Sequence, residues 1–91
     1  MYYADTRYGD MMKTEKSMGF ILIGTSPARE EEVYNKVLKL SEVVEAHPLF
    51  GEFDMIAKME AKDFKELDLK AEKIRKIDGV VNIKTLTGLR W

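Results

Sequence analysis

Cysteine is absent from this 91-residue chain. That excludes disulfides, thiol nucleophiles and cysteine-held metals, and it fits a reducing cytoplasm as the expected location. Glutamine is absent too, and asparagine occurs only at Asn35 and Asn82. Few labile amides beside 34% charged residues hint at a thermophilic source. The single histidine, His47, has no convergent set of ligands with which to hold a metal, and no nucleophile motif accompanies it. No catalytic residue, metal or cofactor is therefore expected, and the chain reads as a non-enzyme. No apolar run approaches the roughly 20 residues of a membrane span, and the opening MYYADTRYGD lacks a signal-peptide core. An excess of either charge is also missing, with 15 basic residues against 16 acidic ones. A protein that grips nucleic acid by its phosphates carries a basic excess, so direct binding to nucleic acid is disfavoured.

What is present is the balance of one small globular domain, with 45% hydrophobic residues. Residues 1–17 are polar, without a clear period, and read as an N-terminal extension or arm. Met11 and Met12 are alternative starts within it. Residues 18–91 form the domain. Met18–Thr25 is a short branched apolar run of strand type. Ser26 and Pro27 fit the N-cap and first turn of a helix whose acidic Glu30, Glu31 and Glu32 suit the positive helix end. Val33, Val37 and Leu40 give that helix an apolar face, flanked by Tyr34 and Leu38. Val43–Phe50 reads as a strand, and Pro48, lacking an N–H, puts it at a sheet edge or at a bulge. Gly51 and Glu52 make a tight turn into the strand Phe53–Ala61. Asp63 and Glu66 form a capping box for a second helix, with Phe64, Leu67, Ala71 and Ile74 at helical spacing. Gly79 is expected to end it, and Val80–Thr87 is the fourth strand.

This order predicts an α+β, ferredoxin-like βαββαβ fold: a four-stranded antiparallel sheet, both helices on one face, the first and third strands central. Strand alternation then puts Phe20 and Leu22 opposite Ile21 and Ile23, and Ile56 opposite Met55, Ala57 and Met59. Helices cover only one face, so the other is expected to be buried against a second copy. About ten such side chains would contribute on the order of 15–30 kcal/mol gross.

The segments GFILIGTSPAREEEVYNKVLKLSEVVEAHPLFGEFDMIAKMEA and IDGVVNIKTLTGLRW resemble the effector-binding and oligomerisation domain (RAM domain) of the Lrp/AsnC family, the leucine-responsive and asparagine-responsive transcription regulators. The most specific part is Gly51-Glu52-Phe53-Asp54, similar to that family's signature of glycine, any residue, aromatic, aspartate. Gly79-Val80-Val81 followed by Thr85 and Thr87 is a second match. The resemblance implies a dimer, often four dimers in an octameric ring, and a free amino acid as effector. It also implies a pocket partly closed by the last strand of a neighbouring dimer. Family members usually carry a helix-turn-helix ahead of this domain. The 17 residues before the first strand do not hold one, so a stand-alone version acting through full-length Lrp/AsnC-type regulators is expected. Where the family has a small hydroxyl residue before the signature glycine, this chain has Phe50.

The candidate ligand-binding residues are Phe50, Gly51, Glu52, Phe53, Asp54, Thr85 and Thr87. A turn with exposed amides can hold a carboxylate, and an aspartate beside it can pair with an ammonium group. Together they suit a free amino acid, with Phe50 and Phe53 as apolar walls. From the residues alone, the glycine and aspartate equally read as an ordinary hairpin turn, and the threonines as ordinary β-branched strand residues. Leu69 falls off the apolar face of its helix, as single exposed leucines often do, or at a higher-order contact. Lys36, Lys39, Lys70, Lys73, Arg75 and Lys76 alternate with acids and read as solvated faces. Two other functions remain open: a small dimeric ferredoxin-like enzyme such as an oxygenase, and a structural adaptor that binds no ligand.

Overall fold

The computed structural model describes residues 17–87. Residues 1–16 of the expected N-terminal arm lie outside the described residues, and its last residue, Ser17, instead opens the first strand. Six elements follow in order: β1 (Ser17–Thr25), α1 (Glu30–Leu38), β2 (Val43–Pro48), β3 (Met55–Ala61), α2 (Phe64–Arg75) and β4 (Val80–Thr87). The strands pair antiparallel in the order β2-β3-β1-β4, which is the ferredoxin-like arrangement with β1 and β3 central.

The branched, uncharged β1 is buried on its helix-facing side. Ile21 and Ile23 meet Met55, Ala57 and Met59 of β3 in one core with Val33 and Val37 of α1 and Leu67, Ala71 and Ile74 of α2. The helix residues sit at i,i+4 and i,i+4,i+7, the spacing of one stripe. Phe64, expected in that stripe, is exposed at the first position of α2. The close seating of α2 on β1 depends on Gly19: a Cβ there would lie 2.3 Å from Cδ2 of Leu67. Tyr34 ties α1 to the edge strand β2, its hydroxyl donating to the Ala46 carbonyl at 3.1 Å.

Pro48 does lie on an edge strand, and the irregularity in β2 falls between Val43 and Glu45. Asp63 caps α2 by accepting from the Glu66 amide at 2.8 Å. Glu66 reaches back to the Lys62 amide at 2.6 Å, one residue beyond the usual capping-box target.

Four local expectations are corrected. Ser26 is not an N-cap and Pro27 is not helical. The Arg29 amide donates to the Ser26 carbonyl at 3.1 Å, and Ala28 has φ +67°. Proline at the second position and positive φ at the third define a type II turn, and α1 starts only after it. Gly79 does not end α2, which stops at Arg75. Gly79, at φ +105°, is the third residue of another such turn, closed by the Val80 amide on the Ile77 carbonyl at 3.0 Å. The strands flanking Gly51 are each two residues shorter than expected, ending at Pro48 and starting at Met55. Finally, the helix-free face is less apolar than alternation suggested. Met55, Ala57 and Met59 all belong to the core face, and Ile56 shares the other with Lys58 and Glu60.

Candidate functional site

The signature residues form the loop between β2 and β3. The Leu49 amide donates to the Asp54 carbonyl at 2.9 Å, closing the loop at its base. Gly51 takes φ +133°, a conformation open to glycine, and nothing lies within 4 Å of where its Cβ would be. Phe50, at 108% exposure, stands fully in solvent at the tip. Glu52 is exposed, and Phe53 and Asp54 are half-buried.

Asp54 has a structural task that the sequence did not disclose. Its amide donates to the Ile23 carbonyl at 2.9 Å, the last backbone rung toward β1. Its carboxylate Oδ2 then accepts from the Thr25 amide at 2.8 Å and from the Thr25 hydroxyl at 3.1 Å. The carboxylate thus supplies an acceptor to the end of β1, beyond its last pair with β3, Ile23 with Met55. Thr25 is itself buried, so its N–H needs that acceptor.

The same end of the sheet is braced a second time. The Ser26 amide donates to the Gly79 carbonyl at 2.8 Å, joining the two type II turns. The Arg29 guanidinium donates to Glu32 at 2.7 Å and to Asp78 at 2.9 Å. Its hydrogen bond, with a further one from Lys36, holds the Glu32 carboxyl down at about 2. Asp78 is also lowered, first by its bond from Arg29. Thr25 and Arg29 were missed by sequence reasoning. Arg29 and Glu32 stand at i,i+3, a detectable spacing, but the partners Thr25–Asp54 and Arg29–Asp78 are 29 and 49 residues apart.

Phe50 through Asp54 are therefore brought together, but Thr85 and Thr87 are not brought to them. Thr85 pairs with Ile21 and Thr87 with Gly19, whereas Asp54 touches Thr25. At ~3.3 Å per residue, the threonines lie about 13 and about 20 Å along β1 from the contact of Asp54. No group of three or more metal-ligating side chains occurs among the described residues, nor is any helix there long and apolar enough to cross a membrane.

The family model described as the Lrp/AsnC ligand binding domain matches residues 18–90. The chain belongs to the Lrp/AsnC family. Among curated Lrp/AsnC relatives, the HTH-type transcriptional regulator FL11 of Pyrococcus furiosus is 32% identical over 73 residues, covering 80% of this chain and 48% of FL11. The chain thus spans about half the length of the curated relatives it matches, and those are transcription regulators rather than enzymes. Among solved structures, FFRP-DM1 is 38% identical with a TM-score of 0.74, covering 80% of this chain and 99% of that one. AsnC of Escherichia coli is 26% identical with a TM-score of 0.74, covering 81% of this chain and 51% of AsnC. The Lrp/AsnC fold is therefore shared both by a chain of similar length and by longer regulators.

Proposed function

We propose that this domain is an amino-acid-responsive assembly module, in which copies pair through the helix-free sheet face and bind effector between pairs. The observation that carries the reading is the separation of the seven candidate residues. Phe50–Asp54 stand at one end of β1 and Thr85 and Thr87 toward the other. One copy cannot bring them to a single small molecule, so the pocket needs the threonines of a neighbour. Oδ2 of Asp54 is engaged by Thr25, which leaves Oδ1 for an ammonium group. Loop amides near Gly51 would take the carboxylate, with Phe50 and Phe53 as walls. A ring of paired copies supplies such junctions, and a ligand that binds the ring better than the pair shifts the population toward the ring.

The pairing itself is supported by the helix-free face. Phe20 is 36% exposed and Leu86 41%, with Met18, Leu22 and Ile56 half-covered beside them. The same face would let the domain join a full-length Lrp/AsnC-type regulator and so act on transcription in the cytoplasm without touching DNA. The test is calorimetric titration of wild type and Asp54→Asn with a panel of free amino acids, alongside sedimentation. A charge-assisted hydrogen bond is worth roughly 1.5–3 kcal/mol, so the effector should bind the variant about tenfold or more weakly. Equal affinity would reduce Asp54 to its contact with Thr25. No heat from any amino acid would leave the adaptor reading in its place.

A further inference from the structure

The helix-free face carries a compact set of charges on its β2 side. In the antiparallel register, Glu45 lies opposite Lys58 and His47 opposite Ile56. His47 Nε2 is 2.9 Å from Glu45 Oε1, and Lys58 Nζ is 3.8 Å from Glu45 Oε2. Among the described residues, the other charged groups on this face are Glu60 of β3 and Lys84 of β4. Both are fixed by register, Glu60 opposite Met18 and Lys84 opposite Leu22. β1 contributes Met18, Phe20 and Leu22, which do not titrate. Two carboxylates and two ammonium groups cancel, so the described residues of this face carry no net charge while His47 is neutral.

We infer that His47 makes assembly through this face pH-dependent, with pairing favoured when its imidazole is neutral and opposed when it is protonated. The inference rests on the sheet-face reading above. Histidine is the side-chain type suited to a charge switch in the pH range a cell visits. Glu45 is shared between His47 and Lys58, so a proton on His47 leaves the described charges of the face with a net charge of +1. In a single copy that charge is exposed to water and costs little. Against a second copy it must shed water beside Phe20, Leu22 and Ile56, and a twofold interface brings the same charge from the other side. The Glu45 carboxyl is held below the usual carboxylate range, chiefly by the hydrogen bond from His47. It therefore stays ionised near neutral pH, so a change in the charge of this face there does not come from Glu45.

The sign follows from linkage. If the pair binds fewer protons than two separate copies, dissociation takes up protons and is promoted by acid. With one histidine per copy, dissociation takes up at most two protons, a limiting response of about a hundredfold in Kd per pH unit, and at least about tenfold between pH ~7.5 and ~5.5 is expected. The experiment is sedimentation of the full chain across that range at constant ionic strength. Wild type, His47→Gln, Phe20→Glu and Leu86→Glu would be compared, with circular dichroism at each pH to check that the fold is intact. Wild type should dissociate as pH falls. His47→Gln, neutral throughout and able to reach Glu45, should stay assembled. A wild-type Kd constant within threefold, or an unchanged acid response in His47→Gln, overturns the inference and leaves the sheet-face reading standing. Undiminished assembly in both Phe20→Glu and Leu86→Glu overturns that reading and this inference with it.

Discussion

Replacing Asp54 by alanine should destabilise the domain even with no ligand present. The carboxylate is the acceptor for both the amide and the hydroxyl of Thr25, at 2.8 and 3.1 Å. Hydrogen bonds to a charged group contribute roughly 1.5–3 kcal/mol each, but the two share one oxygen and are only part-buried, so their sum is an overestimate. The larger loss is the unsatisfied N–H of buried Thr25, since an orphaned buried donor costs about 1–3 kcal/mol. About 2–4 kcal/mol is therefore expected for Asp54→Ala. Against a total stability on the order of 5–10 kcal/mol for a domain of this size, that is a large fraction. It should lower Tm by roughly 8–32 °C, at about 4–8 °C per kcal/mol. Asp54→Asn can turn its carbonyl oxygen to Thr25 and should lose only the charge assistance, about 1 kcal/mol or less. The assay is urea and thermal unfolding of the three proteins at one fixed protomer concentration, because association adds to apparent stability. Alanine and asparagine variants equal to each other and within about 0.5 kcal/mol of wild type would refute the brace, that being the usual range of an inconsequential surface change.

Three further expectations concern the same end of the sheet. The Glu32 carboxyl is depressed from 4.5 to about 2, first by Arg29 and then by Lys36. A lowered folded-state value gives stability that is present above pH 4.5 and lost as pH falls toward about 2. Arg29→Ala should flatten that acid limb, and an unchanged slope in acid titrations would count against the clamp. Ala28 holds φ +67°, where a Cβ is strained by ~1 kcal/mol, so Ala28→Gly should stabilise by about 0.5–1 kcal/mol in denaturant melts. A destabilised glycine variant would contradict the turn assignment. Gly79→Ala combines φ +105° with a Cβ 2.8 Å from Cγ2 of buried Val33, and should cost roughly 1–3 kcal/mol. A neutral result would mean that the turn can relax.

The order of elements was legible in the sequence because each is written in a local period. Ile21 and Ile23 alternate with Phe20 and Leu22. Leu67, Ala71 and Ile74 recur at helical spacing, and Asp63 and Glu66 mark the start of α2 within four residues of chain. Pro48 announced an edge strand because a missing N–H is a property of one residue. The glycine-aromatic-aspartate loop was visible for the same reason, as a short contiguous motif. Turn types were less legible, since Ser26-Pro27 fits both a helix start and a type II turn until the φ of Ala28 decides. Tertiary structure alone showed that Asp54 serves Thr25, that Arg29 reaches Asp78, and that Thr85 and Thr87 stand away from the loop. It also decided that the second face of the sheet mixes Phe20, Leu22 and Ile56 with Glu45, His47 and Lys58. A sequence states which way a side chain points within its own strand. Which strand lies beside it, and in what register, is fixed only when distant segments pack, and charge neighbours and shared pockets are properties of that register.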